Sequence, residues 1–215
     1  MEFQPREVFL NQLSHPFSSA PLLDEAALNR TLRRMAQEIA ERYPDPRCLA
    51  LVGIPSRGVE LAERLGRLLG AADAVGGKTA VRGEPFCGCL DISMHRDDSH
   101  VRGAVSVVRP TRLPPSLDGK IMIVVDDVLQ SGRTCRAALD ALCSFGRPER
   151  IEYAVLVDRG MRQLPIAADY VGKRVDTTAL ERVFVRLLPQ DGVEGVWLER
   201  PTRRWVSGET GGATV

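Results

Sequence analysis

The stretch VVDDVLQSGRT, residues 124–134, decides the fold. Just upstream, residues 120–125 (KIMIVV) form an apolar run bounded by polar sequence, which predicts a buried strand. Downstream, residues 134–145 predict a helix that ends at Gly146. Asp126 and Asp127 therefore fall at the carboxyl end of a strand, where α/β sheets place their ligands. Two adjacent carboxylates repel there and call for something positive or polyhydroxylated to balance them. Ser131, Gly132, Arg133 and Thr134 then open the helix. Gly132 lets a ligand approach the backbone, the free N–H groups favour an anion, and Ser131 and Thr134 add hydroxyl donors. A diol clamp beside a phosphate cup matches ribose 5-phosphate, and Gln130 belongs to the same turn.

Working outward, Asp24 is placed to cap a helix running to Tyr43, stopped by Pro44 and Pro46, with Leu28, Leu32, Met35 and Ile39 as its apolar stripe. Residues 48–54 (CLALVGI) predict a buried strand, followed by the turn Pro55-Ser56-Arg57-Gly58 and a helix over 59–69 closed by Gly70. Residues 86–92 and 151–157 predict further strands, and 93–119 a long polar loop of the kind that is usually functional or disordered. Residues 182–188 and 193–198 alternate around Asp191-Gly192 and predict a hairpin. Strands alternating with helices give an α/β fold with a mainly parallel sheet. Residues 1–21 are expected to be an N-terminal extension, 22–200 the domain, and 201–215 a flexible, Gly-rich tail.

Composition narrows the function classes. The formal net charge of +1 leaves no global polyanion-binding signature, so any nucleic-acid site must be a local patch. No apolar run approaches the roughly 20 residues that span a bilayer, and the N-terminus lacks a signal-peptide pattern, so no membrane contact and a cytoplasmic location are expected. The five cysteines lie in apolar stretches without metal or redox spacing and are expected to be buried, reduced thiols.

The 122–134 segment resembles the signature of type I phosphoribosyltransferases, which bind phosphoribosyl pyrophosphate (PRPP). VGIPSRGVELAERL (52–65), LDISMHRDD (90–98), GRPERIEYAVLVDRG (146–160) and LPIAADYVGK (164–173) are similar to one family: PyrR, the pyrimidine operon regulator and uracil phosphoribosyltransferase. The resemblance covers roughly 22–200. It implies a type I phosphoribosyltransferase fold: a mainly parallel sheet flanked by helices, with a small hood and a C-terminal β-hairpin. It also implies a reaction in which uracil and PRPP give UMP and pyrophosphate, with Mg²⁺. By that resemblance Asp126 and Asp127 hold the ribose hydroxyls, directly or through Mg²⁺. Gln130, Ser131, Gly132, Arg133 and Thr134 grip the 5-phosphate, and Ser56, Arg57 and Gly58 form the pyrophosphate loop. Arg96, Asp97 and Asp98 fall in the mobile loop that closes over PRPP; Asp158, Tyr170 and Val171 receive uracil, with Tyr170 stacking on it.

Regulatory members of the family bind the leader of pyrimidine operon messenger RNA, more tightly with UMP or UTP. The positions matching that face are Arg33, Arg34, Gln37, Arg162, Thr177 and Glu181. Gln37 and Met161 stand where the family usually has histidine, and Arg33 where it has threonine, so phosphate attraction is better preserved than sequence readout. The alternative reading of Arg30, Arg33 and Arg34 is an ordinary solvated helix face. Four readings stay open: enzyme plus attenuator, RNA-binding regulator alone, uracil phosphoribosyltransferase alone, and a transferase for another base. The resemblance also implies a homodimer or a larger homo-oligomer.

Overall fold

The computed structural model describes residues 17–72, 83–95 and 110–201. A five-stranded sheet runs β3 (Phe86–Cys89), β2 (Leu49–Gly53), β4 (Ile121–Leu129), β5 (Arg150–Asp158), β6 (Tyr170–Arg174), and every neighbouring pair is parallel. α1 (Glu25–Arg42) and α2 (Arg57–Ala72) pack on one face, α3 (Arg133–Phe145) on the other. The strands are sorted by their period of two. Leu49, Leu51, Ile121, Ile123 and Val125 meet the α1 and α2 side, whereas Ala50, Val52, Met122 and Val124 meet Ala137, Ala138, Ala141 and Leu142 of α3. The α1 stripe of Leu28, Leu32, Met35 and Ile39 is buried, each side chain contributing about 1.5–3 kcal/mol before ordering costs. Asp24 caps that helix, its carboxylate accepting from the Ala27 N–H at 2.7 Å.

A smaller antiparallel sheet, β1 (Phe17–Leu23), β8 (Gly195–Pro201) and β7 (Arg182–Arg186), contains the expected hairpin and adds a strand to it. β1 begins inside the stretch expected to be an extension. Its partner β8 supplies the pairing, a long-range contact that leaves no local periodicity to read. α2 runs through Gly70 to Ala72 because Gly70 keeps helical backbone instead of turning left-handed. All five cysteines are free; Cys89 and Cys135 are buried, Cys48 and Cys87 partly so, and Cys143 is exposed on the last turns of α3, against the expectation that all would be buried. Among the described residues no helix is long and apolar enough to cross a membrane.

β4 outruns β2. The two pair only as far as Gly53↔Val125, while β4 and β5 stay in register through Leu129↔Asp158. The sheet is thus notched at its carboxyl edge, and the notch holds Asp126 and Asp127.

Candidate active site

Beyond the end of β2, two consecutive β4 amides are met by carboxylate side chains. The Asp127 N–H donates to Asp126 Oδ1 at 3.0 Å, and the Val128 N–H to Asp127 Oδ1 at 2.8 Å. Asp126 Oδ2 accepts from the buried Tyr153 hydroxyl at 2.9 Å. Burial, then the neighbouring Asp127 charge, pushes the Asp126 carboxyl up to about 7. Burial also raises Asp127, opposed chiefly by the positive charge of Arg57.

Ser56, Arg57 and Gly58, expected to form the pyrophosphate loop, cross the notch. Gly58 enters the first turn of α2 so close to β4 that a Cβ would collide with the Val125 carbonyl, and a Cβ on Gly53 would collide with Gly58. These two glycines let the turn lie against the strand ends. On the other side, Gly132 (φ +92) begins α3 with no side-chain cap. The Arg133 N–H meets Ser131 Oγ at 3.3 Å, and the Arg136 N–H closes onto the Gly132 carbonyl at 3.0 Å. The first turn of α3 therefore offers backbone donors and the positive end of its dipole.

A cavity of about 730 Å³ joins these parts: Ser56 and Arg57, Asp126 and Asp127, and the turn from Gln130 to Thr134. It is also lined by Tyr153, Arg159, Glu181, Val183 and Phe184, of which only Glu181 was singled out from the sequence, for another role. Gly58 lies just outside the lining, behind Arg57, as packing and not as a contact. Arg159 is 6% exposed, and two of its nitrogens hold the 177–181 segment through Thr177 Oγ1 and the carbonyls of Thr178 and Glu181. Its signal was the VDRG quoted above, but a residue buried by a distant segment cannot be sorted from a surface arginine by pattern alone.

Three positions expected to receive uracil lie outside this lining. Tyr170 does not face the cavity: it is 1% exposed in the core under α1, and its hydroxyl donates to the buried Glu152 at 2.7 Å. Glu152 also accepts from Tyr43 and pairs with Arg42 at 3.1 Å, so Tyr170 belongs to a hub fastening α1 to β5 and β6. Asp158 points to Arg162 at 2.6 Å and to the Gly160 N–H, and the Val171 carbonyl accepts from Arg34; neither lines the cavity.

The RNA-face positions divide. Arg33, Arg34 and Gln37 are exposed on α1, although Arg34 also donates to the carbonyls of Val171 and Gly172 on the edge strand β6. Arg162, Thr177 and Glu181 are engaged internally. Arg162 donates to the carbonyls of Gln130 (2.8 Å), Gly160 (3.0 Å) and Ile166 (3.0 Å) as well as to Asp158. The N–H groups of Gln163 and Leu164 donate to the Ser131 carbonyl. Arg162 does not line the cavity, yet through the Gln130 carbonyl it braces the turn that opens α3. Thr177 exchanges hydrogen bonds with Arg159, and Glu181 accepts from the Thr178 N–H and Arg200. Arg96, Asp97 and Asp98 lie outside the described residues.

Residues 18–184 match the model of the phosphoribosyl transferase domain. The bifunctional protein PyrR of Chloroflexus aurantiacus is 50% identical over 179 residues, 83% of this chain and 94% of that one. The bifunctional protein PyrR of Thermus thermophilus is 48% identical over 179 residues, again 83% and 94%. A hypoxanthine phosphoribosyltransferase from Staphylococcus aureus superposes with a TM-score of 0.60 at 17% identity, covering 86% of this chain and 94% of that one, a likeness of fold alone. A notched parallel sheet with paired carboxylates and an uncapped helix start agrees with these matches, and the chain belongs to the PyrR family of phosphoribosyl transferase domain proteins.

Proposed function

We propose that this chain transfers the phosphoribosyl group of PRPP to uracil, giving UMP and pyrophosphate, and that it regulates pyrimidine operons by binding their leader RNA. The observation that carries the enzymatic half is the meeting, in one cavity, of a buried carboxylate pair, an uncapped helix start and an arginine at the head of α2.

Displacement at the anomeric carbon builds positive charge on the ribose. Asp126 and Asp127 hold the ribose hydroxyls and stabilise that charge from the floor of the cavity, with Asp126 buried. The first-turn amides of α3, with Ser131 and Thr134, take the 5-phosphate, which completes the missing cap. Arg57 offers a guanidinium to the departing pyrophosphate. The base lies against Val183 and Phe184, with Arg159 as the buried donor for a uracil carbonyl; this replaces Tyr170 stacking. Among the described residues no three His, Cys, Asp or Glu side chains converge on one point. Two adjacent carboxylates fit Mg²⁺ held mainly by substrate oxygens and water, and when bound it would offset pyrophosphate charge.

The regulatory half rests on the named relatives and on the exposed Arg33, Arg34 and Gln37 of α1. Steady-state turnover with PRPP, Mg²⁺ and a panel of bases tests the enzyme: uracil should be preferred, and no turnover with any base would refute it. Affinity for matched and scrambled leader hairpins, with and without UMP, tests the regulator. No preference for the matched hairpin would leave the transferase alone.

A further inference from the structure

Arg57 is already holding something. Its Nη2 lies 2.9 Å from Asp191 Oδ1 and its Nε 3.1 Å from Asp191 Oδ2, a two-point clamp between the start of α2 and the β7–β8 connection. Asp191 is itself fixed: its Oδ2 accepts from the Leu187 N–H at 2.9 Å, and its own N–H donates to the Leu187 carbonyl at 2.9 Å. A side cavity of about 360 Å³ lies here, lined by Arg57, Asp127, Val183, Phe184, Val185, Arg186 and Asp191. Arg57, Asp127, Val183 and Phe184 also line the main cavity.

We propose that Asp191 is the positioning residue that decides which edge of the Arg57 guanidinium meets the pyrophosphate end of the substrate. A guanidinium has two edges able to bind an anion at two points, one made by Nε and a terminal nitrogen, the other by the two terminal nitrogens. Asp191 fills the first, so only the end-on edge is left for a ligand. Asp191 also competes with a second carboxylate for Arg57. Asp127 stands across the same cavity and its carboxyl already feels the Arg57 charge. Without a competing carboxylate, the flexible arginine can swing onto Asp127 and neutralise the pair meant for the ribose. Burial alone would raise the Asp191 carboxyl, but the Leu187 N–H and Arg57 outweigh it and keep it below the usual range, so the clamp is charged at neutral pH.

This inference rests on the pyrophosphate-releasing reaction proposed above. It makes a prediction opposite in sign to simple electrostatics. If Asp191 acted only as a negative charge near a polyanion, Asp191→Asn would tighten pyrophosphate binding. As a positioning residue, its loss weakens that binding. The test measures affinities of the full chain for pyrophosphate with Mg²⁺, and for UMP, in wild type, Asp191→Asn, Arg57→Gln and the double variant. Expected are a pyrophosphate dissociation constant raised about tenfold or more in Asp191→Asn, a UMP constant within about twofold of wild type, and a double variant no weaker than Arg57→Gln alone (tenfold is about 1.4 kcal/mol; coupling read as a cycle). Unchanged or tighter pyrophosphate binding, equal weakening of both ligands, or additive losses would overturn the proposal. So would a defect erased by raising Mg²⁺, which would make Asp191 a metal ligand. A wild-type chain that binds neither pyrophosphate nor UMP would instead sink the underlying functional reading.

Discussion

Asp158 and Arg162 are joined at 2.6 Å, and the same guanidinium reaches the Gln130 carbonyl just ahead of α3. The segment after β5 is therefore built onto the turn that opens α3. Burial pushes the Asp158 carboxyl up, but Arg162 and the Gly160 N–H more than reverse this, so the pair is ionised at neutral pH. Arg162→Ala should loosen the turn and raise the dissociation constant for UMP at least about fivefold, roughly 1 kcal/mol. Arg34→Ala should leave UMP affinity within about twofold. Calorimetry on both variants checks this; equal UMP affinity in the two would contradict the bracing role.

The carboxylate pair should be needed for turnover. Asp126→Asn and Asp127→Asn keep an oxygen to accept the adjacent amide but lose the charge. Each should lower the turnover rate at least about tenfold, about 1.4 kcal/mol of transition-state stabilisation. Near-wild-type rates in both folded variants would remove the pair from the chemistry.

The same pair should weaken the ligand-free protein at neutral pH. The Asp126 carboxyl is raised from 3.8 to about 7 by burial and by Asp127. Between about pH 4 and pH 7 the folded chain keeps a proton that the unfolded chain has lost, so stability falls as pH rises through that window. Asp126→Asn removes this contribution. It should melt above wild type at pH 8, by about 2–4 °C for each 1 kcal/mol relieved, and lose the advantage toward pH 4. A melting-temperature difference that does not change with pH would contradict the assignment.

Tyr170→Phe and Phe184→Ala separate the buried tyrosine from the cavity wall. The first removes one donor to Glu152 and should cost about 1–2 kcal/mol of stability, with KM for uracil within about twofold. The second takes away an apolar wall of the cavity and should raise KM for uracil several-fold. Denaturant melts and uracil titrations decide; a raised uracil KM in folded Tyr170→Phe would restore Tyr170 to the base site.

Thr134→Val tests the phosphate turn. Valine keeps the shape and removes the hydroxyl, so PRPP affinity should drop about threefold to tenfold with little change in melting temperature. Unchanged affinity would argue against a contact there.

The sequence disclosed those parts of the site made by contiguous residues. The carboxylates, the phosphate turn and Arg57 each sit within a few residues of a strand end, and apolar runs mark strand ends well. The α/β layering was legible for the same reason. What stayed hidden was made by distant pairing: β1 against β8, the inward turn of Tyr170 toward Glu152, and the burial of Arg159 by the 177–181 segment. The direction of Arg162 was hidden too, because an arginine in a polar loop reads the same whether it meets solvent or four carbonyl and carboxylate partners.

Beyond the last β2 partner, two successive amides of β4 are met by the side chains of Asp126 and Asp127. The charge proposed to face the ribose and the local bonding of the backbone at the sheet's carboxyl edge therefore occupy the same two positions. A substitution that spares the edge, such as asparagine, is the one that isolates the chemistry, whereas alanine strips away both at once. Drift at these positions is checked twice over, once by the substrate and once by the backbone, so the pair should outlast a change in the base that the cavity accepts.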